Sequence, residues 1–254
     1  MASSVTFDLT HDIALVTGAS SGLRARFATV LAQAGAKVVI AGRRADRLQD
    51  VARAIAAKGG RVYPLTLDVT KTDSIISAID LAEKLAGDLT ILVNNAGLNV
   101  LSSASDLSEA DYDRIMNTNV RGAFFMTQAV GLRMVERKIR GRIVNIASIG
   151  AFKALPGLVA YSMSKSAIAM MTKGFAREWA RHQIAVNALC PGYIKTDLNA
   201  DWFDSEGGQK QIAGFPRRRL SREESLDATL LLLCSGHADF ITGSLFTVDD
   251  GQLL

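Results

Sequence analysis

The stretch from residue 13 to residue 41 admits few folds. Ile13-Ala-Leu-Val-Thr17 is a short apolar run that reads as a strand. Gly18-Ala-Ser-Ser-Gly22 follows at once. A helical stretch over 23–34 comes next, with Phe27, Val30 and Leu31 as its apolar stripe, and Gly35 closes it. Lys37-Val-Val-Ile-Ala41 is then a second strand. Strand, glycine turn, helix and strand make a βαβ unit. The helix opens at the glycines, where unpaired N–H groups and the positive end of the helix dipole suit a pyrophosphate.

The same alternation runs down the chain. A helix with Leu48, Val51, Ile55 and Ala56 on one stripe ends at Gly59-Gly60, and a strand over 61–67 closes on Asp68-Val69. A helix over 72–86 leads into a buried-type strand over 89–93 and the turn Asn94-Asn95-Ala96-Gly97. A long helical stretch over 108–137 is interrupted at 117–119 and at Gly122. A strand over 141–147 ends at Ser148, a mostly apolar loop covers 149–157, and a helix covers 159–182. A strand over 184–189, a polar loop over 197–220, a helix over 222–234 and a strand over 240–248 complete the chain. The pattern predicts an α/β fold, Rossmann-like and doubly wound, with a seven-stranded, mostly parallel sheet and helices on both faces. All of 1–254 is expected to form one domain, since 254 residues with 48% hydrophobic content suit a single large core.

Composition removes several other classes. The net charge is +4, and the basic clusters at Arg43-Arg44, at 137–142 and at 217–219 are too short for a nucleic-acid surface. The two cysteines, Cys190 and Cys234, suggest no disulfide framework, and His11, His182 and His237 show no ligand spacing, so no metal is expected. The first twelve residues lack the form of a signal peptide, and no apolar run approaches the roughly 18 residues a membrane span needs. The expectation is a soluble cytoplasmic protein without membrane or nucleic-acid partners.

The chemistry gathers at Ser148 and in Tyr161-Ser-Met-Ser-Lys165. Tyr161 and Lys165 are four residues apart and share one helix face. An ammonium one turn away favours the phenolate. A hydroxyl at Ser148 can hold a carbonyl oxygen against that phenol. Such a proton-transfer site needs a hydride source, which the glycine turn upstream provides for. The second strand ends in Ala41-Gly42-Arg43-Arg44, with no carboxylate before Asp46. An arginine there pairs with a 2′-phosphate, whereas an NAD site places an acid on the ribose hydroxyl. NADP(H) is therefore favoured over NAD(H), with Arg43 ahead of Arg44. A solvated first helical turn is the competing account of both arginines.

With Thr17-Gly18-x-x-x-Gly22, Ser148 and Tyr161-x-x-x-Lys165, the chain resembles the short-chain dehydrogenase/reductase family from about residue 12 to residue 251. The resemblance implies hydride transfer between NADP(H) and a ketone/secondary-alcohol pair. Tyr161 would be the acid–base group, Lys165 its partner and a hold on the nicotinamide ribose, and Ser148 the carbonyl-positioning hydroxyl. Asn119, in Asn-Val-Arg-Gly, would distort its helix and support a water-linked proton path to Lys165. Gly18, Ser20, Ser21, Gly22 and Leu23 would cradle the pyrophosphate. Asp68 and Val69 would meet the adenine, and Asn95, Ala96 and Gly97 the adenosine side of the sheet centre. Pro191, Gly192, Ile194 and Thr196 would meet the nicotinamide carboxamide. A homotetramer, or a homodimer, is implied in the same way.

The sequence departs from the family pattern at position 24, where a glycine is replaced by arginine. That arginine weakens cofactor binding, points outward, or contacts a phosphate; the residues leave all three open. Three further readings stand beside the reductase: an NAD-dependent sugar or polyol dehydrogenase, a 3-oxoacyl-thioester reductase with 217–219 as a carrier contact, and a cofactor-impaired binding or scaffold protein.

Overall fold

The computed structural model describes residues 6–20, 22–196 and 199–254, with the backbone alone at Arg24. One sheet holds seven strands: β1 (Ile13–Thr17), β2 (Lys37–Gly42), β3 (Arg61–Thr66), β4 (Ile91–Asn94), β5 (Arg142–Ile146), β6 (Ala185–Pro191) and β7 (Leu245–Val248). Their order is β3-β2-β1-β4-β5-β6-β7. Every pairing is parallel, β6–β7 included, so the sheet is parallel throughout rather than mostly. The order reverses between β1 and β4, the place where doubly wound sheets open a crevice at their carboxyl ends.

The helices cover both faces. α1 (Leu23–Gln33), α2 (Ala45–Ala56) and α9 (Asp227–Cys234) lie on one side, and α3 (Thr72–Ala86), α5 (Ala123–Glu136) and α6 (Val159–Trp179) on the other. Alternation along the strands feeds both layers. Ala14, Val16, Val38 and Ile40 pack with Phe27, Leu31 and Leu230, whereas Leu15, Val39 and Leu92 pack with Ile79, Val130 and Trp179. α3 and α5 are also joined by charge: Glu83 accepts from Arg133 at 2.6 Å and from Arg137 at 2.7 Å.

α4 (Glu109–Met116) runs into α5 through a π-helical turn, Asn117–Gly122, at the expected interruption. Gly122 permits it, because a Cβ there would lie 2.8 Å from a Val69 methyl.

Most boundaries lie within three residues of the sequence reading, and three differences are larger in kind. The last strand begins at Leu245, not at 240, and before it the Asn187 side chain takes two backbone groups of 241–244, while the Gly243 N–H and the Ser244 carbonyl bond the β6 backbone. The Asn187 amide donates to the Ile241 carbonyl at 2.7 Å and accepts from the Ser244 N–H at 3.0 Å. The final helix starts with a 3₁₀ turn, Glu223–Leu226. The loop over 197–220 holds two short helices, α7 (Ala200–Asp204) and α8 (Glu206–Ala213). Ser205 caps the second, its hydroxyl accepting from the Gly208 N–H.

These helices form a flap whose stems are tied to the C-terminal turn. The Ser221 N–H donates to the Tyr193 carbonyl at 3.0 Å, closing the flap's base. The buried Gln252 amide brackets Tyr193: Oε1 accepts from its N–H at 2.6 Å and Nε2 donates to its carbonyl at 3.3 Å. The neighbouring Asp250 accepts from Arg217 and Arg219 at the other stem. Gly192 makes the approach possible, since a Cβ there would sit 2.5 Å from Gln252 Oε1. Replacing the amide orphans the Tyr193 N–H. Gln252→Leu should therefore cost about 1–3 kcal/mol and lower Tm by roughly 3–10 °C in thermal denaturation followed by circular dichroism. An unchanged Tm would rule out this anchoring.

Candidate active site

The carboxyl ends of β1 and β4 meet above the sheet. Thr17 Oγ1 accepts from the Asn95 and Ala96 N–H groups at 3.0 and 3.1 Å, and Asn95 Nδ2 donates to the Thr17 carbonyl at 2.9 Å. Gly18 has φ +69°, and a Cβ there would lie 2.7 Å from the Ala96 Cα. Only glycine satisfies both conditions. Gly22, φ +52°, precedes the first residue of α1.

Two cavities flank this junction. One, of about 280 Å³, is lined by Gly22, Leu23, Asn95 and Gly97 on the β1/β4 side. Ser148, Tyr161 and Lys165 line its floor, and Pro191, Gly192, Ile194 and Thr196 its far wall. The other, of about 330 Å³, is lined by Gly18, Ser20, Arg43, Arg44, Asp68, Val69, Ala96 and Gly97. All the expected cofactor residues among those described therefore converge on adjoining spaces. Ser21, and the side chain of Arg24, lie outside the described residues.

The second cavity has cationic and anionic ends. Arg43 and Arg44 are exposed at its edge, and Arg44 donates to Ser20 Oγ at 2.9 Å. Arg44 stands at the N-cap of α2 and Arg43 precedes the helix, so neither is on its first turn. Asp68 does not cap α3, which begins after Lys71. Its carboxylate closes a turn instead, accepting from the Thr70 N–H and hydroxyl at 3.1 and 2.8 Å. Burial pushes its pKa up. The Thr70 hydrogen bonds and the charges of Arg43 and Lys71 outweigh burial and hold it below the ordinary value.

The first cavity brings Ser148, Tyr161 and Lys165 together. β5 ends at Ile146, and Ser148 follows two residues later at the head of a 3₁₀ turn, its hydroxyl accepting from the Gly150 N–H at 3.0 Å. Tyr161 and Lys165 lie on α6, one turn apart. Lys165 is buried at 7% exposure, which demands partners for its charge. Its Nζ donates to the Ile146 carbonyl at 2.7 Å and lies 5.6 Å from the centre of the Tyr161 ring. The ammonium is thus fixed between the strand end and the phenol.

Asn119 is not in either wall. It stands behind Gly97, where a Cβ would lie 3.3 Å from Asn119 Oδ1 and 3.8 Å from Lys165 Nζ. Its amide exchanges two 2.8 Å hydrogen bonds with the Leu98 backbone and donates to Ser164 Oγ at 3.0 Å. Ser164 in turn donates to the Tyr161 carbonyl. The side chain staples the 97–98 turn to the helix that carries Tyr161.

Several residues at the site had no sequence signal of their own. Thr17 was read as a strand end and the first residue of the glycine-turn motif, with no role for its hydroxyl, which joins two strands. Leu98, Leu155, Leu158 and Tyr193 line the outer cavity from three separate loops. Asn199 pins the wall by accepting from the Thr196 N–H at 2.7 Å and donating to the Ile194 carbonyl at 3.0 Å. Arg217 and Arg219, weighed as a carrier contact, both bind Asp250. Among the described residues, no three His, Cys, Asp or Glu side chains group as metal ligands, and no helix is long and apolar enough to cross a membrane.

A parallel doubly wound sheet with a glycine turn at its switch point, and a Ser–Tyr–Lys cluster beside it, defines a dinucleotide-dependent α/β oxidoreductase. Comparison with known proteins places the chain within that class. The family model for short chain dehydrogenases matches residues 12–207, and the chain belongs to the short-chain dehydrogenase/reductase family. It is similar to a gluconate 5-dehydrogenase of Gluconobacter oxydans, at 36% identity over 96% of each chain. It is similar also to a 3-oxoacyl-[acyl-carrier-protein] reductase of Thermotoga maritima, at 30% identity over 95% of this chain and 98% of that one. A crystal structure of a gluconate 5-dehydrogenase from Burkholderia cenocepacia, in complex with NADP and tartrate, superposes with a TM-score of 0.93 at 33% identity, covering 97% of both chains. The chain is accordingly an NAD(P)-dependent oxidoreductase acting on CH–OH and ketone groups.

Cys190 lies directly behind this site, fully buried at the end of β6. Burial pushes its thiol up to about 11, against the opposing pull of the Lys165 charge, and burial raises Cys234 as well. At pH 8 about one Cys190 in a thousand carries the thiolate that reacts. A disulfide reagent at pH 8 should titrate neither thiol in the folded chain and both after denaturation; rapid labelling of the folded protein would contradict the burial.

Proposed function

We propose that the chain reduces a ketone to a secondary alcohol, reversibly, with NADP(H) as cofactor: a carbonyl reductase. The observation that carries this reading is the placement of Lys165 between the Ile146 carbonyl and the Tyr161 ring, with Ser148 on the same cavity floor. The fit to the dinucleotide rests on the Gly18–Ala96 approach and on the adjoining cavities. Bound NADPH would supply the hydride.

The chain's own groups do the rest. Ser148 Oγ donates to the carbonyl oxygen and holds it against the phenol. Tyr161 delivers its proton to that oxygen in reduction and takes it back in oxidation. Lys165 keeps a positive charge beside the ring, which favours the phenolate left behind, and holds the ribose. Asn119 keeps the 97–98 turn registered on α6, so that the proton-handling face stays aligned with the cofactor wall. The cradle is Gly18, Ser20, Gly22 and Leu23; Asp68 and Val69 bound the adenine end; Asn95, Ala96 and Gly97 the centre; Pro191, Gly192, Ile194 and Thr196 the carboxamide end. Arg43, exposed at the rim beside Arg44, supports preference for the 2′-phosphate. Exposed Val159, Met163 and Met170 form one stripe on α6, and this supports self-association as a homo-oligomer. Two buried free thiols suit the reducing cytoplasm.

Tyr161→Phe should lower kcat for ketone reduction by about 10²–10⁴-fold, while NADPH affinity by fluorescence titration stays within about twofold. Turnover near that of the wild type would sink the mechanism. Arg43→Ala should weaken NADPH binding by roughly tenfold or more with NADH binding unchanged. Equal losses for both cofactors would remove Arg43 from the 2′-phosphate.

A further inference from the structure

Resting on that ketone-reductase reading, we infer that the site takes an uncharged substrate with an apolar arm and turns away one that carries a carboxylate. The outer part of the cavity, beyond Ser148 and Tyr161, is walled by Ile149, Leu155 and Leu158 on one side and by Leu98 and Tyr193 on the other. The polar groups nearby are largely committed. Both ends of the Asn199 amide hold the Ile194–Thr196 turn, and the Tyr193 hydroxyl bonds to Gln211. The Tyr193 ring is stacked on Phe215 and edged by Phe203, so it presents a fixed apolar surface.

Charge points the same way. Among the described lining residues the one cation is Lys165, already bound to the Ile146 carbonyl beneath the phenol. Four of the five cations over 195–220 are paired: Lys195 with Asp204 at 2.6 Å, Lys210 with Glu206 at 2.7 Å, and Arg217 and Arg219 with Asp250; the fifth, Arg218, is exposed and lines neither cavity. Asp201, Asp204 and Glu206 give the near half of the flap a negative balance. A carboxylate entering between Leu155 and Tyr193 loses its water and meets no opposite charge, which is costly. A neutral arm of the same length loses nothing and buries apolar area. The discrimination runs against sugar acids, the substrates that the names of two similar proteins carry.

The test compares one ketone with and without charge: ethyl 4-oxopentanoate against 4-oxopentanoate, followed by NADPH oxidation at pH 7, where the free acid is ionised. The ester should exceed the acid in kcat/KM by roughly 10²-fold. Equal or better turnover of the acid would overturn the inference and leave the reductase reading standing. Failure to reduce either compound, or any ketone of a neutral panel, with NADPH bound would overturn the reductase reading itself. Asn99→Arg places a cation at the exposed mouth of the cavity and should narrow the ester-to-acid ratio about tenfold. A ratio unmoved by that charge would overturn the electrostatic basis of the inference.

Discussion

The close approach of Gly18 to Ala96 is the contact on which the rest of the site depends. A side chain at position 18 would stand 2.7 Å from a backbone carbon, so the absence of one lets two strand ends converge. Thr17 completes the junction, its hydroxyl gathering two N–H groups from the β4 turn. The convergence falls where the strand order reverses, and the crevice there opens toward both cavities. A backbone held this closely leaves room for a flat, extended dinucleotide along the carboxyl edge of the sheet. The glycine turn is therefore a packing device, whatever it also binds.

The reactive groups inherit their order from that junction. Gly97, three residues beyond Asn94, backs onto Asn119 and Lys165 together. The Asn119 amide holds Leu98, Ser164 reaches the Tyr161 carbonyl, and Lys165 reaches Ile146. Strand end, turn, π-helical segment and catalytic helix thus share one hydrogen-bonded frame. A buried ammonium is costly unless paired, and its pairing with the strand end is what keeps it beside the phenol. At the outer end the frame is looser and differently built. The flap is held by aromatic stacking on Tyr193 and by the Gln252 and Asp250 contacts of the C-terminal turn. Cofactor geometry and substrate geometry are consequently set by different parts of the chain.

Much of this was legible beforehand, and the reasons are local. Short continuous apolar runs located the strands, which are buried on both faces, and period-3.6 stripes located most helices, which bury one face against the sheet. Two glycines after a strand marked the turn, and the four-residue spacing of Tyr161 and Lys165 placed them on one face. The errors also have local causes. The last strand was read five residues too long because side chains share the pairing of 241–244 with β6: Asn187 takes the Ile241 carbonyl and the Ser244 N–H, and the Thr242 hydroxyl takes the Val186 N–H. Two short helices in the flap escaped notice because they run for only five and eight residues and each buries a single residue rather than an apolar stripe. The hydrogen bonds of Asn119 to Leu98 and Ser164 were not legible, because those partners lie 21 and 45 residues away in sequence.

The sequence by itself determined the α/β alternation, the glycine turn, the shared helix face of Tyr161 and Lys165 and the arginines at the second strand's end. Each is written in contacts between near neighbours along the chain, where spacing dictates geometry. Tertiary structure alone decided that Thr17 joins β1 to β4, that Gln252 brackets Tyr193 some sixty residues away in sequence, and that Arg217 and Arg219 are spent on Asp250. It also decided the character of the substrate cavity, whose walls come from loops after β4, β5 and β6. Those loops carry no periodicity, and their side chains become neighbours only when the parallel sheet brings its carboxyl ends to one edge.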